Sequence, residues 1–138
     1  MLPLRYSQRW RIGGIILLGL VLAATLLPVF GFWPRSAIRM IGSVDKWIHA
    51  FMFLFLTVWY SGQYARPDYW RIGIGLVAFG GVIELIQRSL PFRSGDPADM
   101  AANVAGIVLG FALAFAGVGG WSMRVEQWLE ARQPDHGQ

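Results

Sequence analysis

The chain has 138 residues, 55% hydrophobic and only 14% charged, with mean hydropathy +0.46 and a net charge of +4 from 12 basic and 8 acidic residues. Soluble domains carry about 25% charge, so this composition excludes an ordinary water-soluble fold and points to a bilayer. The absence of cysteine excludes disulfides, a thiolate nucleophile and thiolate metal sites; the basic residues form no stripe and no nucleic-acid motif, which excludes nucleic acid as a partner and leaves anionic lipid headgroups.

Met1 to Arg11 is a short basic leader carrying Arg5, Arg9 and Arg11. An apolar run from Ile12 to about Trp33 follows. It exceeds the ~7–15 residues of a signal-peptide core, so it reads as a retained first span over 12–33. Pro34 to Lys46 reads as a polar linker, with a short interfacial helix around Arg39-Met40-Ile41. Gly42-Ser43 then starts a second, aromatic span over 44–64. Pro67 and Asp68 make a tight connection to a third span over 70–90.

The fourth span, 96–118, opens on Asp96-Pro97-Ala98-Asp99. That is an N-cap, a first-turn proline and a first-turn acid. Ala102, Gly106, Gly110 and Ala114 repeat every four residues along it, a small-residue face that lets helices approach closely in lipid. The last segment, 121–138, reads as a short amphipathic helix and a tail, with Trp121 and Trp128 as interfacial anchors. About 20 helical residues cross a ~30 Å hydrocarbon core. The expectation is therefore all-α: a single domain over 1–138 forming a polytopic bundle of four transmembrane helices.

Four crossings bring the start of span two, the end of span three and the start of span four to one membrane face. That face collects Asp45, Lys46, His49, Glu84, Gln87, Arg88, Arg93, Asp99 and Asn103, and few polar residues mark the other. Seven basic residues flank the side of the termini against five on the opposite side. This bias, led by the first helix, puts both termini in the cytoplasm and the cluster outside.

Ionisable residues next to apolar spans point to function. Asp45 and His49, one turn apart, suit a carboxylate–imidazole pair, although Asp45 equally complements a helix N-terminus. Glu84 and Gln87 share a face at the end of the third span, with His49, Lys46, Arg88 or Arg93 as partners for the carboxylate. Arg88 and Arg93 suit phosphate but also close a helix C-terminus or reach for headgroups. Asp99 and Asn103 share a face four residues apart, where Asn103 bridges two helices or offers its amide to Asp99 or Glu84.

Asp45-Lys46-x-x-His49-x-x-x-Phe53, Glu84-x-x-Gln87, and Arg93 followed by Asp99-x-x-x-Asn103-x-x-Gly106 resemble, in order and spacing, the VanZ-like family of small bacterial membrane proteins. The match covers about positions 45 to 110. The family's namesake is linked to resistance to the glycopeptide teicoplanin, so the resemblance implies a protein of the bacterial inner membrane connected with the cell envelope. The leading expectation is a protein that binds or shields a phosphate-bearing lipid or a lipid-linked cell-wall precursor. Lys46, Gln87, Arg88, Arg93 and Asn103 would be its ligand-binding residues. The alternatives are an enzyme acting on lipid phosphate, with His49 and Glu84 as acid and base beside Asp45 and Asp99, and a structural subunit of an envelope complex. No cofactor is expected. A divalent-metal variant on Asp45, His49, Glu84 and Asp99 finds no support in a recognised ligand spacing. The oligomeric state is open.

Overall fold

The computed structural model describes residues 1–26, 35–90 and 96–132, with residues 35–44 described as backbone only. The element order is α1 (Ser7–Leu26), α2 (Arg35–Gln63), a single 3₁₀ turn (Arg66–Asp68), α3 (Tyr69–Arg88), α4 (Pro97–Leu113) running into a π-helical turn (Ala114–Val118), and α5 (Trp121–Glu130). The described residues are all-helical. Three segments are long and apolar enough to cross a membrane: Ser7–Leu26, Arg66–Arg88 and Pro97–Val118. Their exterior is apolar as well. Ile12, Ile15, Ile16 and Leu20 of α1, Ile74 and Leu85 of α3, and Val108 and Leu109 of α4 are all exposed. A continuous apolar exterior of this kind suits lipid, since in water it would drive association.

The central element is α2. Its 29 residues make a rod of about 44 Å at ~1.5 Å per residue, longer than the hydrocarbon core. Phe53 and Leu56 are fully buried and join Leu76, Ile83 and Ile107 in the core, whereas Phe51 and Phe55 face outward. The aromatic run thus serves both core and exterior. The most extensive helix contact is between α2 and α4, and glycine makes it so close. A Cβ on Gly106 would sit 2.2 Å from the Ala50 carbonyl oxygen, and one on Gly110 would sit 2.5 Å from Thr57 Cβ. Inside a bilayer, such backbone proximity is a main source of helix adhesion.

Several boundaries differ from the sequence expectation. α1 begins at Ser7, five residues before Ile12. The expected polar linker is helical from Arg35 onward, so Gly42-Ser43 starts nothing. One glycine costs a helix only about 1 kcal/mol and a serine less, so neither residue is a break strong enough to stop it. Trp33 and the tail beyond Arg132 lie outside the described residues.

The chain reverses after α4 at Gly117 (φ 121°) and Gly120 (φ 71°), both in the left-handed region open to glycine. α5 then lies across the end of α2. Gly120 N–H donates to the Ser61 carbonyl, Trp121 Nε1 to the Val58 carbonyl, and the Ser122 hydroxyl to the Gly62 carbonyl. Half-buried Trp121 thereby clamps α5 onto α2, with its ring 5.2 Å from Trp10 and 5.5 Å from Trp59. Trp128 stays exposed under the Arg132 guanidinium.

The expectation of few polar residues at this end is also corrected. Glu126 accepts hydrogen bonds from Arg5 N–H (2.8 Å), Tyr6 N–H (3.0 Å) and Trp10 Nε1 (2.7 Å). It therefore caps the start of α1 from the far end of the chain, satisfying donors that a helix N-terminus leaves open. Burial pushes its carboxyl up, but the three N–H donors together hold it below the usual range. Arg124 does the converse, donating to the Gly117 and Val118 carbonyls at the end of the π turn.

Candidate functional site

At the opposite end, the glycine contact brings the first turns of α4 against the described start of α2. Asp99, Asn103, Gly106 and Gly110 are all buried along one stripe of α4. The spacing that seats Gly106 on Ala50 therefore also turns Asp99 and Asn103 toward Asp45 and His49. One potential ligand atom from each of Asp45, His49 and Asp99 lies within 4.8 Å of the other two. His49 and Asn103 are each 2% exposed and Asp99 6%.

His49 Nδ1 lies 3.1 Å from Asn103 Oδ1. An amide oxygen only accepts, so this contact holds the neutral ring as the Nδ1–H tautomer and leaves the lone pair on Nε2. Asn103 thus bridges two helices, as its position suggests, but its partner is His49 and not Asp99 or Glu84. Its other side rests near α3, where a Cβ on Gly80 would lie 3.1 Å from Asn103 Nδ2.

The rim is charged. Lys46 Nζ meets Asp96 Oδ2 at 3.0 Å. Asp96 also caps α4, accepting from Ala98 N–H at 2.9 Å. The Ala98 N–H first, and the Lys46 ammonium second, hold its carboxyl below the ordinary range. Sequence reasoning explains Asp96 as a cap and misses its ion pair. The signal available was a lysine with no acid at helical spacing on its own outward face.

Glu84 and Gln87 are both buried but do not join the trio. Glu84, 6% exposed, pairs with Arg88 at 3.5 Å on its own helix. It borders a groove of about 540 Å³ between α3 and α4, with Arg88, Pro97 and Met100 on its walls. Gln87 turns the other way and donates to the Thr25 carbonyl of α1 at 3.0 Å. The shared face of Glu84 and Gln87 is thus divided between two neighbours. Residues spaced i, i+3 lie about 60° apart around a helix at ~3.6 residues per turn; here that separation is enough to address α4 with one and α1 with the other. Arg93 falls outside the described residues.

This end therefore combines a buried imidazole held against a buried amide, two carboxylates beside it, and a half-exposed lysine at the rim. No protein-family model matches the chain, and neither a curated protein nor a solved structure does.

Proposed function

We propose that the protein is a VanZ-like, four-span protein of the bacterial inner membrane that holds the phosphate-bearing headgroup of a lipid or lipid-linked envelope component at this polar end. The observation carrying the reading is the convergence of Asp45, His49, Asp99 and Asn103 at one end of the bundle, with the Lys46–Asp96 pair on the same two elements. Buried polar groups at the edge of an apolar bundle are costly, and a polar headgroup is the solute that a bilayer delivers to that depth. Lys46 and Arg88 are half-exposed cations suited to an anionic group.

The fourth crossing is assigned to α2. His49 near its start bonds the first turns of α4, while Gln63 at its end accepts from Leu2 N–H at the other end of the bundle. With four crossings, both termini share a side, and the charge bias puts that side in the cytoplasm.

The test is lipid retention by the protein reconstituted in nanodiscs of mixed phosphatidic acid and phosphatidylcholine. Phosphatidic acid should be enriched on the wild type and lose its enrichment in the Lys46→Ala/Arg88→Ala double variant. Equal retention of both lipids would remove the headgroup reading. A second reading, catalysis on the lipid phosphate with His49 as base, is favoured by the free lone pair on Nε2. Release of inorganic phosphate from phosphatidic acid, lost in His49→Gln, would establish it in place of binding alone.

A further inference from the structure

We propose that Asp45, His49 and Asp99 form a binding site for one divalent transition-metal cation, such as Zn²⁺, with Asn103 as the positioning residue for the imidazole. Three independent features converge on it. The first is distance: the three ligand atoms lie within 4.8 Å of one another. Ligand atoms at ~2.1 Å from a tetrahedral cation are about 3.4 Å apart, so rotamer adjustments of up to about 1.5 Å close the set.

The second is Asp99 itself. It is 6% exposed, and among the described residues its carboxylate accepts no hydrogen bond and stands in no ion pair. A carboxylate with no hydrogen-bond donor is costly at this depth. Its position beside His49 and Asp45 makes a cation the partner that fits.

The third is the hydrogen bond behind the ring. Metal-binding histidines donate the non-ligating N–H to a fixed acceptor, which sets tautomer and orientation. Asn103 Oδ1 provides that acceptor and leaves Nε2 as the ligand atom. One imidazole and two carboxylates without thiolate suit Zn²⁺ or Mn²⁺. Glu84 is not part of the set, because Arg88 holds it on α3.

Three protein ligands leave a coordination position open in a tetrahedral site. A phosphate oxygen is the group suited to that position. This last step rests on the headgroup reading above, whereas the cation site does not.

The experiment is calorimetric titration of Zn²⁺ into the detergent-solubilised full chain, purified with a tag free of histidine, since the chain has only two of its own. One equivalent should bind. Asp99→Asn and His49→Gln should each weaken binding by at least tenfold. Asn103→Leu should weaken it about 10–100-fold, while Asn103→Asp, which still accepts from Nδ1–H, should restore it. Glu130→Gln, at the other end of the molecule, should bind as the wild type does. Thermal melting confirms that each variant is folded. No saturable binding by the wild type, or equal affinity in folded Asp99→Asn and His49→Gln, overturns the site. Phosphatidic acid nanodiscs and inorganic phosphate are then offered with Zn²⁺ or with chelator. Lipid retention lost on chelation supports coordination of the headgroup, and competition by free phosphate alone assigns the open position to the soluble anion. Retention indifferent to chelation overturns the coordination step and leaves headgroup binding standing. Zn²⁺ binding with no lipid retention removes the headgroup reading and leaves the metal site.

Discussion

At the scale of single residues, the two ends of the molecule use carboxylates in opposite ways. Glu126 is buried but fully engaged by three N–H donors, so its charge is stabilised and its titration is displaced downward. A carboxyl whose folded value lies below its unfolded value adds stability above the unfolded value near 4.5, and that stability disappears as pH falls through the folded value. Thermal unfolding in detergent should therefore show the wild type losing stability as pH falls below about 5, and Glu126→Gln losing less over the same range. At neutral pH, Glu126→Gln should already cost about 1.5–3 kcal/mol, the scale of a hydrogen bond to a charged group. An unchanged melting profile across that pH range would show that the cap does not stabilise α1. Gln87 is a different case. Its Nε2 is bonded to Thr25, while its buried Oε1 has no hydrogen-bond partner among the described residues. Replacement by Met removes both polar atoms at similar length, so Gln87→Met should change the melting midpoint by only a few degrees, whereas Gln87→Glu should lower it clearly by burying a charge.

At the scale of elements, α2 and α4 are joined by glycine, and this joint sets the geometry of the candidate site. The four-residue repeat from Ala102 to Ala114 was readable because small residues at that spacing can only mark a close approach in lipid. The sequence does not say which helix would occupy that face. Gly106 answers it through its fit on the Ala50 carbonyl, one residue from His49. Gly106→Val should force the two backbones apart at a cost of about 1–3 kcal/mol or more and separate Asp99 and Asn103 from His49. Gly19 is the matched control, with nothing within 4 Å of an added Cβ. Gly19→Ala should leave the melting midpoint unchanged or raised, because alanine is the better helix former. If Gly106→Val melts like Gly19→Ala, the joint is not as close as described. The start of α2 was harder to read, since Gly42-Ser43 looks like a boundary although neither residue costs enough to end a helix. Glu126 and Trp10 were illegible for another reason. They meet across nearly the whole chain, and no periodicity links residues that far apart.

At the scale of the whole molecule, the ends are chemically distinct and each is closed by its own network. One has Asp45, Lys46, His49, Asp96, Asp99 and Asn103 between α2 and α4. The other has α5 and the N-terminal segment folded over Gln63. The hydropathy pattern anticipates the first network because acids and amides there interrupt apolar runs. It misses the second, whose residues sit in segments that look merely interfacial. Two ends joined by helices long enough to cross a bilayer should face two compartments, and the cysteine-free chain allows a direct measurement. Ser89, exposed just past α3, marks the candidate-site end, and exposed Trp128 on α5 marks the other. Ser89→Cys and Trp128→Cys should each fold, since neither side chain is buried. In intact cells, a membrane-impermeant maleimide should label Ser89→Cys, and it should label Trp128→Cys only after the membrane is permeabilised. The reverse pattern would be compatible with the proposed four crossings and invert the orientation, placing the candidate site in the cytoplasm. Labelling of both positions from one side would mean an even number of crossings between them, so that α4 does not cross. That would be incompatible with α2 and α4 running side by side from one face to the other, and the pocket built on their junction would lose its place at the headgroup level.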